Sequence, residues 1–112
     1  MGGRMASMVA DESSVRGLVC FGYPFHPPGN HERLRTAHLE RLSTPALIIQ
    51  GERDPFGTRE DVARYNLSAS ITIQWIEDGD HSLVPRKKKS GRTAAMNMAE
   101  AIEISAGFIR SL

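Results

Sequence analysis

Two side chains that could act together in proton transfer follow two apolar segments of the chain. Asp54 comes shortly after the apolar residues 46–50, and His81 comes shortly after residues 71–76. A carboxylate beside an imidazole fixes the imidazole tautomer and stabilises the imidazolium, while the imidazole takes a proton from a nucleophile. Asp54 and His81 therefore predict the acid and base half of a nucleophilic triad.

The same two residues also have an ordinary structural interpretation. Asp54 could cap a helix that starts near Thr58, and His81 could be a solvated residue of a turn. An Asp and a His taken alone are more often structural than catalytic. The choice between the two interpretations depends on the elements that position these side chains.

Three short apolar segments predict strands. They cover residues 15–21, 46–50 and 71–76. The second is a continuous apolar run bounded by Pro45 and Gly51, which is typical of a strand buried on both faces of a parallel sheet. A polar loop follows each of the three strands.

Four segments predict helices before, between and after these strands. They cover residues 1–10, 31–42, 59–66 and 92–112. The third follows a capping-box pattern at residues 58–61. In the last helix the apolar residues, Met98, Ile102 and Ile109 among them, approximate one face.

The alternation of helices and strands predicts an α/β fold, a parallel sheet with helical crossovers in a single domain over residues 1–112. Ligand sites in such sheets form beyond the carboxyl ends of the strands. Asp54 and His81 stand at corresponding ends of successive strands, so the predicted fold favours the catalytic interpretation. Three strands make a small sheet, and its first strand leaves one backbone edge uncovered. We therefore expect the chain to be part of a larger sheet, or to form a homo-oligomer through that edge.

The composition bounds the class of protein. The chain has 112 residues, a formal charge of +1 and 40% hydrophobic residues, as expected of one ordinary globular domain. Its single cysteine, Cys20, excludes an intrachain disulfide, and no Cys/His spacing matches a metal site. No apolar run is long enough to span a bilayer, and the first residues lack the pattern of a signal peptide. We expect a cytoplasmic protein with no membrane association, metal or cofactor.

Four segments of the chain carry a family resemblance. They are residues 2–7, 22–29, 50–57 and 78–82, with the sequences GGRMAS, GYPFHPPG, QGERDPFG and DGDHS. Together they resemble a bacterial family of α/β-hydrolases related to the dienelactone hydrolases. That family is similar to the hydrolase-like domain shared by the testis-expressed protein 30 group and a subunit of the nonspecific-lethal acetyltransferase complex. The resemblance covers essentially the whole chain, and it implies a serine hydrolase triad with Asp54 as the acid and His81 as the base.

The chain departs from the family pattern at the nucleophile. Family members carry an elbow of the form G-x-S-M-G-G-R, in which a strained turn exposes the serine at the start of a helix. Residues 1–4 align with the M-G-G-R part. The resemblance therefore places the nucleophilic serine immediately before Met1 and makes the backbone N–H of Met1 an oxyanion-hole donor. We expect this chain to be the C-terminal half of the hydrolase fold, and to be nearly inactive by itself.

Three other residues are weaker candidates for the nucleophile. Ser7 lies two turns into the first predicted helix, and Ser82 would have to fold back onto the adjacent His81. Cys20 is expected inside the first strand, where it is a small core residue rather than a reactive thiolate. None of them replaces the serine of the elbow.

The proline-rich loop after the first strand supplies the candidate substrate-binding residues. Tyr23 and His26 lie in this loop, on the side of the sheet where the site is expected. His26 is interpreted as a pocket wall or a hydrogen-bond donor to the site. The resemblance marks the loop as typical of the family and gives His26 no defined role.

A basic run follows the histidine loop. Arg86, Lys87, Lys88, Lys89 and Arg92 put five cations into seven residues. A solvated loop is the simplest interpretation, and the alternatives are attraction of an anionic substrate or contact with nucleic acid phosphates. No aromatic stacking platform accompanies the run, so nucleic acid is the least favoured partner.

The residues and the resemblance together predict a serine hydrolase that acts on a small-molecule ester or related acyl substrate. The alternative is a non-catalytic hydrolase-like module that serves binding or assembly. The residue at the elbow position distinguishes the two, because a serine there favours the enzyme and any other residue favours the module.

Overall fold

The computed structural model describes residues 16–30 and 36–112. A three-stranded parallel sheet forms its centre, with the strands in the order β1, β2, β3. The strands are β1 (Leu18–Phe21), β2 (Ala46–Gly51) and β3 (Ile71–Ile76). In register, Ala46 of the central strand lies opposite Leu18 on one side and Ile71 on the other. The predicted α/β class, with parallel strands and helices in the connections, is confirmed.

Strand β2 is buried along its whole length, as its continuous apolar run predicts. Because successive side chains point to opposite faces of a strand, its residues enter two different cores. Ile48 packs on one face in a cluster with Leu39 and Phe25, whereas Leu47 and Ile49 pack on the other. Side chains therefore cover both faces of the sheet around β2, and the turn that carries Asp54 follows this buried strand.

Two short helical segments connect the strands. Between β1 and β2 the described residues form a 3-10 helix, Ala37–Glu40. Residues 31–35 of the helix predicted over residues 31–42 lie outside the described residues. Between β2 and β3 lies helix α1, Arg59–Val62, whose predicted capping box is present at Thr58 and Asp61. Helix α1 is shorter than predicted, because the chain turns after it to pack Tyr65 against the core.

After β3 the basic run is helical rather than a loop. Lys87–Ser90 forms a one-turn helix, α2, with exposed lysines. Gly91 ends it in the left-handed region (φ 73°), a conformation that glycine adopts without a steric penalty. The polar loop predicted before this run is present.

The last helix, α3, spans Ala94–Ser111, with Thr93 as its N-cap. The apolar residues predict which face of this helix is buried, and that prediction is wrong. Met98, Ile102 and Ile109 are exposed, and Asn97 and Ala101 are the buried residues. The helix is turned this way because the Asn97 amide bonds two carbonyls of the loop after β3.

The described residues limit what can be said of one predicted helix and of membrane-spanning helices. The helix predicted over residues 1–10, together with Met1, lies outside them. Among the helices that are described, none is long and apolar enough to cross a membrane.

Candidate active site

Asp54 lies in a tight turn directly after β2 and is fully buried. Its backbone N–H donates to the Gly51 carbonyl, and its own carbonyl accepts from the Gly57 N–H, both at 3.1 Å. Its Oδ1 accepts from the Phe56 N–H at 2.8 Å, which is the Asx-turn geometry that favours Asp in such turns. Thr58, not Asp54, caps the following helix. The second carboxylate oxygen is thus directed away from the helix.

That second oxygen meets His81. The His81 Nδ1 and Asp54 Oδ2 are 2.8 Å apart, so the hydrogen bond expected between the two residues is present. An ionised carboxylate only accepts, which assigns the shared proton to Nδ1 and leaves the lone pair of a neutral ring on Nε2. Within the described part of the chain, Nε2 has no hydrogen-bond partner. The pair therefore has the orientation in which His81 can take up a proton at Nε2.

The two members of the pair differ sharply in exposure. The Asp54 side chain is 0% exposed and the His81 side chain is 37% exposed. The His81 ring also packs against Phe56, with ring centroids 4.4 Å apart. The arrangement, a buried carboxylate hydrogen-bonded to a half-exposed imidazole, is suited to an acid that orients the ring and a base that can contact a substrate.

A cavity of about 300 Å³ opens beside His81. Its walls come from Phe21 at the end of β1, from Met98 on α3 and from His81, Ser82 and Leu83 in the loop after β3. Three of these five side chains are apolar. The cavity can receive a small apolar group within reach of the imidazole.

Two glycines allow the histidine loop to cross the strand ends. A Cβ on Gly22, which follows β1 with φ +70°, would lie 2.4 Å from the His81 carbonyl oxygen and 3.2 Å from its ring. A Cβ on Gly51, the last residue of β2, would lie 2.3 Å from the carbonyl oxygens of Gly79 and Asp80. Real Cβ contacts do not approach this closely. Both positions therefore require glycine for His81 to reach Asp54.

The histidine loop is held by its own backbone bonds. Asp80 Oδ1 accepts from the N–H groups of Ser82 and Val84, each at 2.9 Å. The loop also contains two non-glycine residues with positive φ, Asp78 at 53° and Leu83 at 67°. Such backbone is unfavourable for side chains other than Gly and Asn. It persists here because neighbouring elements bond the loop on several sides.

Two side chains from outside the loop supply such bonds. The Arg53 guanidinium donates to the carbonyls of Asp78, at 2.9 Å, and Val84, at 3.2 Å. The fully buried Asn97 amide donates to the carbonyls of Leu83, at 2.9 Å, and Glu77, at 3.1 Å. The acid turn and helix α3 thus both fix the segment that carries the histidine.

An ion pair closes the loop at its far end. Asp78 accepts from the Arg86 guanidinium and, at 2.7 Å, from the Arg86 backbone N–H. These hydrogen bonds lower the pKa of Asp78 from 3.8 to about 2, and the same pairing raises the pKa of Arg86. Asp78 therefore stays ionised in all but strongly acidic solution, and Arg86 is committed to the loop rather than to a partner.

Gln50 is a site residue that sequence reasoning missed. It is the last residue of the apolar run, is fully buried, and donates from its amide to Asp54 Oδ2 at 3.0 Å. Its position carried a usable signal. A polar residue in a strand buried on both faces has to find hydrogen-bond partners inside the protein.

Tyr23 and His26 are placed in the loop predicted for them and are buried, at 1% and 0% exposure. The Tyr23 hydroxyl lies 3.1 Å from Nε2 of His38. The His26 ring lies 3.2 Å from the Asp61 carboxylate, and its backbone N–H donates to the Phe56 carbonyl. His26 thereby joins this loop to the acid turn and to α1. A direct role of either residue in substrate binding stays a prediction.

The weaker candidates for a nucleophile or a metal differ in placement. Cys20 is buried in the core, and burial raises the pKa of its thiol from 9.0 to about 11. Ser82 lines the cavity beside His81. Ser7, like Met1, lies outside the described residues. Over residues 16–30 and 36–112, no group of three or more His, Cys, Asp or Glu side chains could hold a metal ion.

The chain matches the model of a known protein family. A family model described as an alpha/beta hydrolase domain matches residues 1–110. The match covers nearly the whole chain, including the acid turn and the histidine loop. No solved structure matches the chain significantly.

Proposed function

This chain belongs to the alpha/beta hydrolase domain family, and from that premise we propose that it is a serine-type hydrolase that acts on an ester or related acyl substrate. Asp54 is the acid and His81 is the base. A relationship to the dienelactone hydrolases is part of the same proposal and rests on the segments that resemble that group.

One observation carries the proposal. The Nδ1 of His81 bonds the buried Asp54 carboxylate at 2.8 Å, while the ring stands at the wall of a cavity. A purely structural hydrogen bond between an Asp and a His would form equally well with both side chains buried. The 37% exposure of the His81 side chain leaves the imidazole accessible for proton transfer to and from a substrate.

The proposed reaction has two stages, formation of an acyl-enzyme and its hydrolysis. Nε2 of His81 removes the proton of a serine hydroxyl as the oxygen attacks the acyl carbon. Asp54 stabilises the imidazolium that forms. The imidazolium then protonates the leaving alcohol, and an acyl-enzyme results. A water molecule, deprotonated by the same Nε2, hydrolyses the acyl-enzyme and regenerates the serine.

The nucleophile in this proposal is the serine that the elbow pattern places immediately before Met1. The same pattern makes the Met1 backbone N–H a donor to the oxyanion. Neither position is among the described residues, so both are part of the proposal.

The cavity favours an apolar group on the substrate. Phe21, Leu83 and Met98 form its walls beside His81, and desolvation of an acyl or alcohol chain against such walls is favourable. The exposed lysines of α2 lie outside these walls. We therefore propose a neutral ester of modest size as the substrate.

Hydrolysis of p-nitrophenyl butyrate tests the proposal. The 112-residue chain and a version extended upstream through the elbow are assayed side by side. We expect turnover only in the extended version, with a loss of about 10⁴-fold or more in kcat for both His81→Ala and Asp54→Asn.

Glu103→Gln is the matched control for removal of a carboxylate, because Glu103 is an exposed residue of α3. It should leave kcat unchanged. If the 112-residue chain shows turnover, and His81→Ala abolishes it, the assignment of the nucleophile is refuted. An extended version with a serine at the elbow and no turnover would favour the non-catalytic module.

A further inference from the structure

We propose that Gln50 is a positioning residue for the Asp54 and His81 pair. Its side-chain amide sets the rotamer of the Asp54 carboxylate, and through it the direction of the His81 ring. The inference rests on the proposed function for its catalytic consequence, but the positioning itself can be measured without any activity.

Gln50 and His81 bond the same carboxylate oxygen. Asp54 Oδ2 accepts from Gln50 Nε2 at 3.0 Å and from His81 Nδ1 at 2.8 Å, while Oδ1 accepts from the Phe56 N–H at 2.8 Å. Rotation of the carboxylate would break the bonds to Gln50 and Phe56 together. The plane of the carboxylate is therefore fixed from two sides before His81 approaches it.

The orientation of the Gln50 amide is determined by its partners. Its Oε1 lies 2.8 Å from the Tyr23 backbone N–H, which can only donate. Its Nε2 lies 3.0–3.1 Å from Asp54 Oδ2 and from the carbonyl oxygens of Tyr23 and Gly57, which can only accept. A flipped amide would oppose donor to donor and acceptor to acceptor at every contact.

The same contacts join the loop after β1 to the acid turn. Gln50 accepts from the Tyr23 backbone N–H, and its two Nε2 protons are shared among three acceptors, the Tyr23 carbonyl, the Asp54 carboxylate and the Gly57 carbonyl. It is fully buried, so water cannot replace a lost bond easily. At its next-to-last residue, strand β2 thus links the acid turn to the loop after β1.

The chemistry of the side chain matters as much as its reach. A glutamate at position 50 would place a second carboxyl group about 3 Å from Asp54 Oδ2, and two carboxylates that close cannot both ionise. A methionine would keep the volume and remove both donors. Only an amide both accepts from the Tyr23 N–H and donates to the carboxylate.

Proton NMR of the 112-residue chain tests the positioning directly. An imidazole N–H bonded to a carboxylate resonates far downfield of the amide protons, and the His81 signal is identified by its loss in His81→Gln. We expect this signal in the unmodified chain and expect it to be lost, or moved upfield, in Gln50→Met. An unchanged signal in Gln50→Met would overturn the proposal.

Gln74→Met is the matched control, since Gln74 is an exposed glutamine of the neighbouring strand β3. It should leave the downfield signal in place. A loss of the signal in Gln74→Met as well as in Gln50→Met would show a general effect of glutamine removal and would contradict a specific role of Gln50.

A second measurement avoids any variant at position 50, in case Gln50→Met fails to fold. The side-chain amide resonances of Gln50 are followed in the unmodified chain, in Asp54→Asn and in His81→Gln. We expect them to shift in both variants, because Gln50 and His81 bond the same oxygen of Asp54. Gln50 resonances that respond to neither change would overturn the proposal.

A kinetic readout separates this inference from the proposed function. In the extended, active version, Gln50→Met should lower kcat about 10- to 100-fold with little change in KM, because misorientation of a base costs rate rather than binding. If the NMR result holds and no version is active, the proposed function fails while the positioning stands. If the enzyme is active and Gln50→Met keeps both kcat and the NMR signal, only the positioning fails.

Discussion

At the scale of single residues, the site depends on a position that has no side chain. Gly22 has φ +70°, and a Cβ there would meet the backbone and the ring of His81. Gly91 has a similar φ of +73°, but a Cβ there would meet nothing within 4 Å. A comparison of alanine substitutions at the two glycines therefore distinguishes the cost of backbone strain from the cost of displacing His81.

We predict that Gly91→Ala costs about 1 kcal/mol of unfolding free energy, because only the left-handed conformation is penalised. Gly22→Ala should cost about 2–5 kcal/mol, since overpacking against His81 adds to the same strain. Urea unfolding of the two variants measures the difference. Equal losses in both variants would contradict the close contact between Gly22 and His81.

Cys20 gives a second prediction at this scale. Burial raises the pKa of its thiol from 9.0 to about 11, which lowers the thiolate fraction near neutral pH by roughly 100-fold. We expect iodoacetamide to modify Cys20 at least about 100-fold more slowly in the native chain than in urea. Similar rates in both conditions would show that Cys20 is not buried as described.

At the scale of elements, the loop after β3 is stabilised by an ionised carboxylate. Arg86 holds the pKa of Asp78 at about 2, below its ordinary value of 3.8. A lowered folded-state pKa stabilises the fold above the unfolded pKa, and that stabilisation is lost as the pH falls through the folded pKa. Asp78 should therefore contribute fully above about pH 5 and progressively less between about pH 4 and 2.

The corresponding variant is Asp78→Asn. We predict that it is less stable than the unmodified chain at pH 7, and that the difference shrinks as the pH is lowered from 4 towards 2. Denaturant unfolding across this pH range measures it. Glu103→Gln on α3 is the control and should show no such trend, whereas a constant difference for Asp78→Asn would contradict the ion pair.

The elements also show what sequence could predict. The continuous apolar run of β2 and the alternating pattern of β3 both predict strands, and the bounds of β3 at Ile71 and Ile76 match the prediction. The capping box at Thr58 locates the start of α1. Helix ends were harder, because tertiary packing of Tyr65 ends α1 early. The buried face of α3 combines Ala101, Ile104 and Phe108, which pack against the sheet at helical spacing, with Asn97, whose bonds to a distant loop no local pattern specifies.

The candidate site was predictable to a similar extent. Asp54 and His81 were identified because residue type, order and position after two strands agreed. Gln50 and Asn97 were not, because each acts through hydrogen bonds to backbone groups that no local pattern specifies. Sequence thus indicated the proposed acid and base, and the structure was needed to identify the residues that bond to them.

At the scale of the whole molecule, apolar surface lies next to the site. Phe21, Met98, Ile102 and Ile109 are all at least 38% exposed. Within the described part of the chain, β1 stands at one end of the sheet order. Exposed apolar side chains and a strand at the end of a sheet both favour association.

We predict that the folded chain by itself self-associates. Light scattering over a range of chain concentrations measures the association. Ile102→Glu should reduce it, because this change places a charge on the exposed face of α3. A monodisperse monomer at every concentration would contradict this expectation.

The most direct test of the central claim is covalent labelling with a fluorophosphonate, which reacts with activated serine hydroxyls. The version extended through the elbow is labelled, digested and mapped by mass spectrometry, alongside its His81→Ala variant. We predict one adduct, on the serine that the elbow pattern places before Met1, and its loss in His81→Ala. An adduct on Ser82, or equal labelling of the elbow serine without His81, would contradict the assignment of His81 as its base.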